Sequence, residues 1–185
     1  MEFQRKINAL WQAKAREEAE LKHRYFQEMQ DLVVMRAVEI RKLEGFWSTA
    51  VQNHNGLQAL LTSRDMEVVR AIEDINVGEL IDEAGPEAVK LTIYLGNNPI
   101  VASSTLWIQV TSSSPRTCTS SGILFHSNYS FTWLDSSSKG SFFRLFECHN
   151  ASADSSWETE KAWELVQWVK TDLWEDPLKY FELSR

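Results

Sequence analysis

The first 44 residues carry a repeating apolar pattern. Leucine recurs at an interval of eleven, at Leu10, Leu21, Leu32 and Leu43, and neither glycine nor proline occurs before Gly45. Eleven residues make about three α-helical turns, so leucines at this spacing lie on one side of a helix. The pattern therefore predicts one long helix over residues 1–44.

A second apolar column lies three positions before these leucines and is interrupted only by Glu18. At about 1.5 Å per residue the helix would be roughly 60 Å long, more than a compact domain could cover. A two-column stripe of this length favours pairing with a second copy, so we expect a homodimer. The residues predicted to form the interface, called the apolar seam below, are Ile7, Leu10, Leu21, Tyr25, Met29, Leu32, Ile40 and Leu43.

From Gly45 onward the pattern is that of an α+β domain. A short helix is predicted over Ser48–Leu61, with a second over Asp65–Asp74 because Met66, Val69 and Ile72 share one helical face. Apolar and polar residues then alternate as in half-buried strands. The three predicted strands are Val89–Leu95, Leu106–Val110 and one within Ile123–Leu134.

A closing helix is predicted from Ser155 to about Asp172. Ser155 and Glu158 have the spacing of a capping box. Its predicted buried face is Ala162, Leu165, Val166, Val169 and Leu173. The fold class is therefore α+β: a long N-terminal dimerisation helix (1–44) followed by a domain with an antiparallel sheet and packed helices (45–185).

The charge of the chain is unevenly distributed. The 185 residues carry a net charge of −7. Residues 1–44 contain nine Lys/Arg and eight Asp/Glu, whereas residues 45–185 contain ten and eighteen. An acidic body disfavours binding to the phosphate backbone of nucleic acid and favours basic protein partners or solubility alone.

Residues with catalytic or metal-binding spacing are missing from the sequence. It contains no phosphate-binding loop, dinucleotide fingerprint, nucleophile elbow or zinc-protease motif. Cys118 and Cys148 have no zinc-site spacing and are expected to be free thiols, while His54 between two asparagines suggests a structural hydrogen bond. No catalytic residue, cofactor or metal ligand is predicted. No apolar run reaches the length of about 18 residues that a membrane span needs.

Several segments of the body resemble the nucleosome assembly protein family. The first is Phe46-Trp47-x-x-Ala50-x-x-Asn53-His54, followed by Leu57–Leu61 and Asp65-x-Glu67. Asn98-Pro99 and Ser141–Phe146 match later landmarks, although Ile100-Val101 replaces the aromatic residue usual after Asn-Pro. The segment Asp172–Phe181, DLWEDPLKYF, is similar to the closing motif of the SET branch of the family.

This resemblance implies a histone chaperone whose long helices pair antiparallel, each followed by an earmuff-shaped α+β domain with an acidic underside. It implies core histones of either heterodimer type as partners, a contact with chromatin or double-stranded DNA, and a nuclear location with shuttling to the cytoplasm. No membrane partner is expected. The candidate histone-binding carboxylates are Glu158, Glu160, Glu164, Asp172, Glu175 and Asp176, with Asp82 and Glu83 as a second group.

Other functions remain open from the sequence alone. The exposed carboxylates are equally explained by a solvated helix face. A dimeric scaffold that docks an unrelated protein and a phosphatase inhibitor, the latter suggested by the SET branch, are the binding alternatives. A hydrolase without recognisable motifs is the enzymatic alternative.

Overall fold

The computed structural model describes residues 2–80, 88–112, 123–127, 132–134, 141–147 and 156–183. At residues 79–80, 112, 123–127 and 156–160 it describes the backbone alone. The chain forms two compact units, residues 1–39 and residues 40–185. Within the described residues, none of the helices combines the length and apolarity of a membrane span.

The first unit is a single helix, α1 (Glu2–Ile40). Its continuity follows from the absence of glycine and proline and from Lys/Arg–Glu pairs spaced at i,i+4 along its surface. The helix ends four residues before the predicted boundary at residue 44. The chain then turns, with the amide of Leu43 donating to the carbonyl of Ile40 (2.9 Å). Gly45 adopts a φ of 66°, which favours glycine, and α2 begins at the next residue.

The second unit contains short helices and a four-stranded antiparallel sheet. The α-helices are α2 (Phe46–Asn53), α3 (Asn55–Leu60), α4 (Asp65–Val69), α5 (Ser156–Trp168) and α6 (Pro177–Glu182). A 3-10 helix covers Phe142–Phe146, and a π-helix, Val169–Trp174, joins α5 to α6. The strands β1 (Ile72–Leu80), β2 (Ala88–Leu95), β3 (Thr105–Ser112) and β4 (Ile123–Ser127) lie side by side in sequence order.

One face of the sheet forms the core of the body. Leu91 in β2 lies between Val77 in β1 and Ile108 in β3, and all three side chains are buried. The 3-10 helix adds buried Phe143 and Phe146. The predicted buried face of the closing helix is confirmed, since all five of its residues are buried. The α+β fold class is also confirmed.

The predicted helix over Asp65–Asp74 is wrong in its second half. Helix α4 ends at Val69, and β1 begins at Ile72. The register of β1 against β2 shifts between Ile72 and Asp74, which marks a bulge or irregularity. Ile72 lies three residues after Val69, so it continues the helical spacing of Met66 and Val69 although it is the first residue of the strand.

A buried carboxylate organises the start of α4. Oδ2 of Asp65 accepts hydrogen bonds from the Thr62 amide (2.8 Å), the Thr62 hydroxyl (2.7 Å) and the amide of Phe142 (3.1 Å). Its Oδ1 accepts from the hydroxyl of Ser141 (2.5 Å). Asp65 therefore joins α4 to the 3-10 helix, and these bonds offset the cost of burying a carboxylate.

Candidate functional site

The apolar seam is exposed along the helix. Leu10 is 71% exposed and Leu32 is 66% exposed in the single chain, and Ile7, Leu21, Tyr25 and Met29 are also exposed. Leu43, in the turn after α1, is exposed as well, whereas Ile40 is 4% exposed. Ile40 is thus already buried within one chain and adds no exposed surface to the seam.

Charged side chains on α1 pair largely within the helix itself. Ion pairs at i,i+4 join Glu2 to Lys6, Lys14 to Glu18, Arg16 to Glu20 and Arg24 to Glu28. Each partner is more than half exposed, so each pair contributes only about 0–1 kcal/mol. The helix therefore offers apolar surface but little net charge.

Most candidate carboxylates lie on the closing segment, defined here as residues 156–182. Glu158 and Glu160 are in α5, where the backbone alone is described. Glu164 accepts from Lys161 Nζ at 2.7 Å. Glu175 and Asp176 are exposed, and Asp176 caps α6 by accepting from the amide of Lys179 (3.3 Å). Asp82 and Glu83 lie outside the described residues.

Asp172 differs from the other candidates because it holds a buried histidine. His54 is 5% exposed, and its Nε2 lies 2.9 Å from Oδ2 of Asp172. Its Nδ1 accepts the amide hydrogen of Leu57 at 3.2 Å. Because Nδ1 is an acceptor, the proton of the neutral ring sits on Nε2 and is donated to Asp172. The structural hydrogen-bonding role predicted for His54 is thus confirmed.

The hydrogen bond from His54 is the main cause of a lowered pKa at Asp172. Partial burial of the carboxyl opposes this shift, while the hydroxyl of Thr171 and the positive charges of His54, in its protonated form, and of Lys179 lower the pKa further. Asp172 is therefore ionised at neutral pH, and its Oδ2 faces the buried ring of His54. The sequence signals the histidine, but it does not signal this partner 118 positions away.

Three contacts fix the chain on either side of Asp172. The ring of Trp168 lies against Gly56, where an added Cβ would come within 3.0 Å of the ring. The side-chain amide of Asn53 donates to the carbonyl of Tyr180 (2.7 Å), and the Phe46 and Phe181 rings are 4.6 Å apart. The resemblance motifs at residues 46–54 and 172–181 therefore meet in the fold.

Metal-binding and thiol chemistry are absent from the part of the chain that the structure describes. Within it, no three His, Cys, Asp or Glu side chains are grouped so that they could hold a metal ion. Cys118 and Cys148 lie outside the described residues, so their predicted free-thiol state stays a prediction.

Sequence comparison finds related proteins, although no family model matches the chain. It is 30% identical over 161 residues to testis-specific Y-encoded-like protein 5 of Mus musculus. That match covers 80% of this chain and 36% of the relative, so the chain spans about a third of that protein's length. It is 27% identical to NAP1-related protein 1 of Oryza sativa subsp. indica, covering 88% of this chain and 65% of the relative.

Structural comparison agrees with the sequence relatives. The chain superposes on the crystal structure of nucleosome assembly protein S from Plasmodium falciparum with a TM-score of 0.69 and 18% identity. The match covers 97% of this chain and 96% of the other. The closer assignment to the SET branch stays a prediction. By its fold and its sequence relatives, the chain belongs to the nucleosome assembly protein family.

Proposed function

We propose that this chain is a homodimeric histone chaperone. It binds basic core histones through acidic side chains of its body and so aids nucleosome assembly and disassembly in the nucleus. The observation that carries the proposal is the exposed acidic end of the closing segment, Glu175 and Asp176, on a body that has eight more acidic than basic residues. Such a surface attracts a strongly basic partner, and this attraction weakens as the salt concentration rises.

The names of similar proteins support the same role. The Plasmodium falciparum structure is that of a nucleosome assembly protein, and the rice relative is NAP1-related protein 1. Histones are the basic protein component of nucleosomes, so an acidic member of this family has a plain partner by charge. We propose no catalytic step for this chain.

The candidate carboxylates are not equivalent as contacts. Asp172 is half-buried and bonded to His54, and Glu164 is half-buried beside Lys161. Glu175 and Asp176 are the exposed pair and come first in our proposal. Glu158 and Glu160 follow, and Asp82 with Glu83 form a separate second group.

Histone titration tests the proposal directly. Purified core histones are titrated at about 0.1 M and about 0.3 M salt, where the screening length falls from about 10 Å to about 6 Å. The parent should bind tightly, with affinity that falls as salt rises. Glu175→Gln with Asp176→Asn should weaken binding and flatten the salt dependence, while asparagine keeps the α6 cap because it is a good N-cap residue.

A matched variant removes the same charge from the other unit. Glu18→Gln with Glu20→Gln takes two carboxylates from α1, where each is paired within the helix. This control should leave histone affinity nearly unchanged. If the parent binds no histone at either salt concentration, the chaperone role is wrong, and a dimeric scaffold or a phosphatase inhibitor becomes the better reading.

The dimer is proposed to be antiparallel, with facing residue numbers that sum to 53. Leu21 then meets Leu32, Leu10 meets Leu43, and Lys14 lies level with Glu39. A rival register summing to 42 places Lys14 level with Glu28 instead. Both registers set leucines opposite one another, but the rival register leaves Leu43 without a facing residue and sets Lys6 level with Arg36, so we propose the first.

Disulfide cross-linking separates the two registers. In a background with Cys118 and Cys148 replaced by serine, one variant carries Lys14→Cys with Glu39→Cys, and the other carries Lys14→Cys with Glu28→Cys. The first should form covalent dimers efficiently and the second should not. The opposite result would show that the rival register is the true one.

A further inference from the structure

The π-helix between α5 and α6 is an unusual way to join two helices. It covers Val169–Trp174 and ends immediately before Glu175 and Asp176. A π-turn closes its hydrogen bonds over five residues instead of four, is rare in proteins and occurs frequently at functional sites. Something in the surrounding structure must therefore favour this wide turn over a continued α-helix.

The structure places the His54–Asp172 hydrogen bond inside this wide turn. The His54 ring cannot move freely, because Nδ1 is occupied by the amide of Leu57 and the ring is buried. Its centroid lies 4.9 Å from that of Tyr180 and 6.1 Å from that of Trp168. Asp172 thus accepts a hydrogen bond from a donor whose position is fixed. This bond constrains the position of the backbone that carries Asp172.

The chain on either side of the wide turn is held separately. Trp168 packs on Gly56 before it, and Asn53 binds the carbonyl of Tyr180 after it. Both anchors come from the same α2–α3 junction that carries His54. A change in winding is therefore confined to residues 169–179, which lie between the two anchors and include Glu175 and Asp176.

We propose that the His54–Asp172 hydrogen bond is a latch that holds the π-helix in its wide form and thereby sets the direction of Glu175 and Asp176. Without the bond, the turn rewinds as an α-helix. One residue of helical phase is about 100°, so the exposed acidic pair then points away from its original direction. His54 is in this sense a positioning residue for the acidic end of the closing segment.

Two substitutions of Asp172 separate the latch from the charge. Asp172→Asn and Asp172→Ala remove the same negative charge. Asparagine retains a carbonyl oxygen that accepts the proton of His54 Nε2, whereas alanine leaves that donor without its partner. If Asp172 acted only as a charge, the two variants would behave alike.

The winding is measured by NMR in the full chain. Through-bond coupling reports whether the amide of Trp174 pairs with the carbonyl of Val169, as in a π-turn, or with that of Lys170, as in an α-turn. The parent and Asp172→Asn should show the first pairing, and Asp172→Ala the second. A π-pairing retained in Asp172→Ala overturns the latch. Should the alanine variant not fold, Asp172→Ser replaces it, because the serine side chain is too short to reach His54.

Histone affinity gives the second readout, and only this arm rests on the proposed function. Asp172→Ala should bind histones about threefold to tenfold more weakly than Asp172→Asn, because two exposed charges no longer face the basic partner and each exposed charge pair contributes only weakly. Equal affinity of the two variants contradicts the positioning of Glu175 and Asp176. Absence of histone binding in the parent refutes the proposed function, whereas the NMR result still decides the latch.

Discussion

The two units of this chain use apolar side chains in opposite ways. The helix of residues 1–39 presents leucine, isoleucine, methionine and tyrosine to solvent along most of its length. The body buries apolar side chains on one face of its sheet, with Leu91, Leu106 and Ile108 fully covered. The body can therefore be stabilised by its own core, whereas the helix gains most from burial against a partner.

The two units also differ in net charge. The helix balances its acidic and basic residues through pairs one turn apart, and the body keeps a surplus of carboxylates. A neutral apolar surface suits self-association, because like copies do not repel one another. An acidic surface suits a basic partner. Substitutions confined to one unit therefore test whether the other unit responds.

The largest expected effect is loss of the dimer on substituting the seam. Leu21→Gln with Leu32→Gln should cost about 1.5 to 3 kcal/mol per protomer, or about 3 to 6 kcal/mol per dimer, because burying a large apolar side chain contributes about 1.5 to 3 kcal/mol and roughly half of each surface is at stake. Light scattering at micromolar concentration should report monomers.

The matched control for the seam lies on the same helix. Val34 is 62% exposed and Val38 is 51% exposed, but neither belongs to the seam. Val34→Gln with Val38→Gln should leave the dimer in place. A dimer that survives the leucine pair and dissociates with the valine pair would move the interface to another face of the helix.

The second effect destabilises the body through its core. Phe143 is fully buried, so Phe143→Ala should lower the free energy of unfolding by about 3 to 5 kcal/mol. Leu10→Ala, which truncates an exposed side chain in the single chain, should barely change the unfolding of the body. Urea denaturation followed by tryptophan fluorescence measures both, and a similar loss in the two variants would contradict the contrast between the units.

The contrast between the units could be predicted from the sequence because it rests on long, regular patterns. An eleven-residue leucine repeat and the alternation of Val89, Leu91, Ile93 and Leu95 each repeat one spacing many times. Short irregularities were misread. Ile72 begins a strand but keeps the three-residue spacing of Met66 and Val69, and His54 divides the helix predicted over Ser48–Leu61 because its side chain caps α3.

The candidate site was predictable as a composition but not as an arrangement. The carboxylates of the closing segment are plain in the sequence. The sequence does not reveal that Asp172 turns toward His54, or that the helix widens there, because both depend on residues 118 positions away.

A smaller effect is expected from pH. The folded-state pKa of Asp172 is lowered, chiefly by the hydrogen bond from His54. Its stabilising contribution is therefore present above the unfolded pKa, close to 3.8, and is lost as pH falls through the lower folded value. The urea midpoint of the parent should drop more between about pH 6 and about pH 3 than that of Asp172→Asn. Equal drops would mean that the ionised carboxylate adds nothing to stability.

The smallest expected effect on stability, with a clear effect on charge, comes from three glutamates of α5. Glu158→Gln, Glu160→Gln and Glu164→Gln together should leave the fold and the dimer intact, because glutamine matches glutamate in size and helix propensity. Loss of the Glu164–Lys161 pair should cost only about 0–1 kcal/mol. Single variants would be nearly silent for the same reason, so the triple variant is tested first.

Histone affinity should fall, and its salt dependence should flatten as three contacting charges are removed. If affinity and salt dependence both stay at the parent's values, these glutamates form only a solvated face, and the acidic contact lies at Glu175 and Asp176 or beyond them.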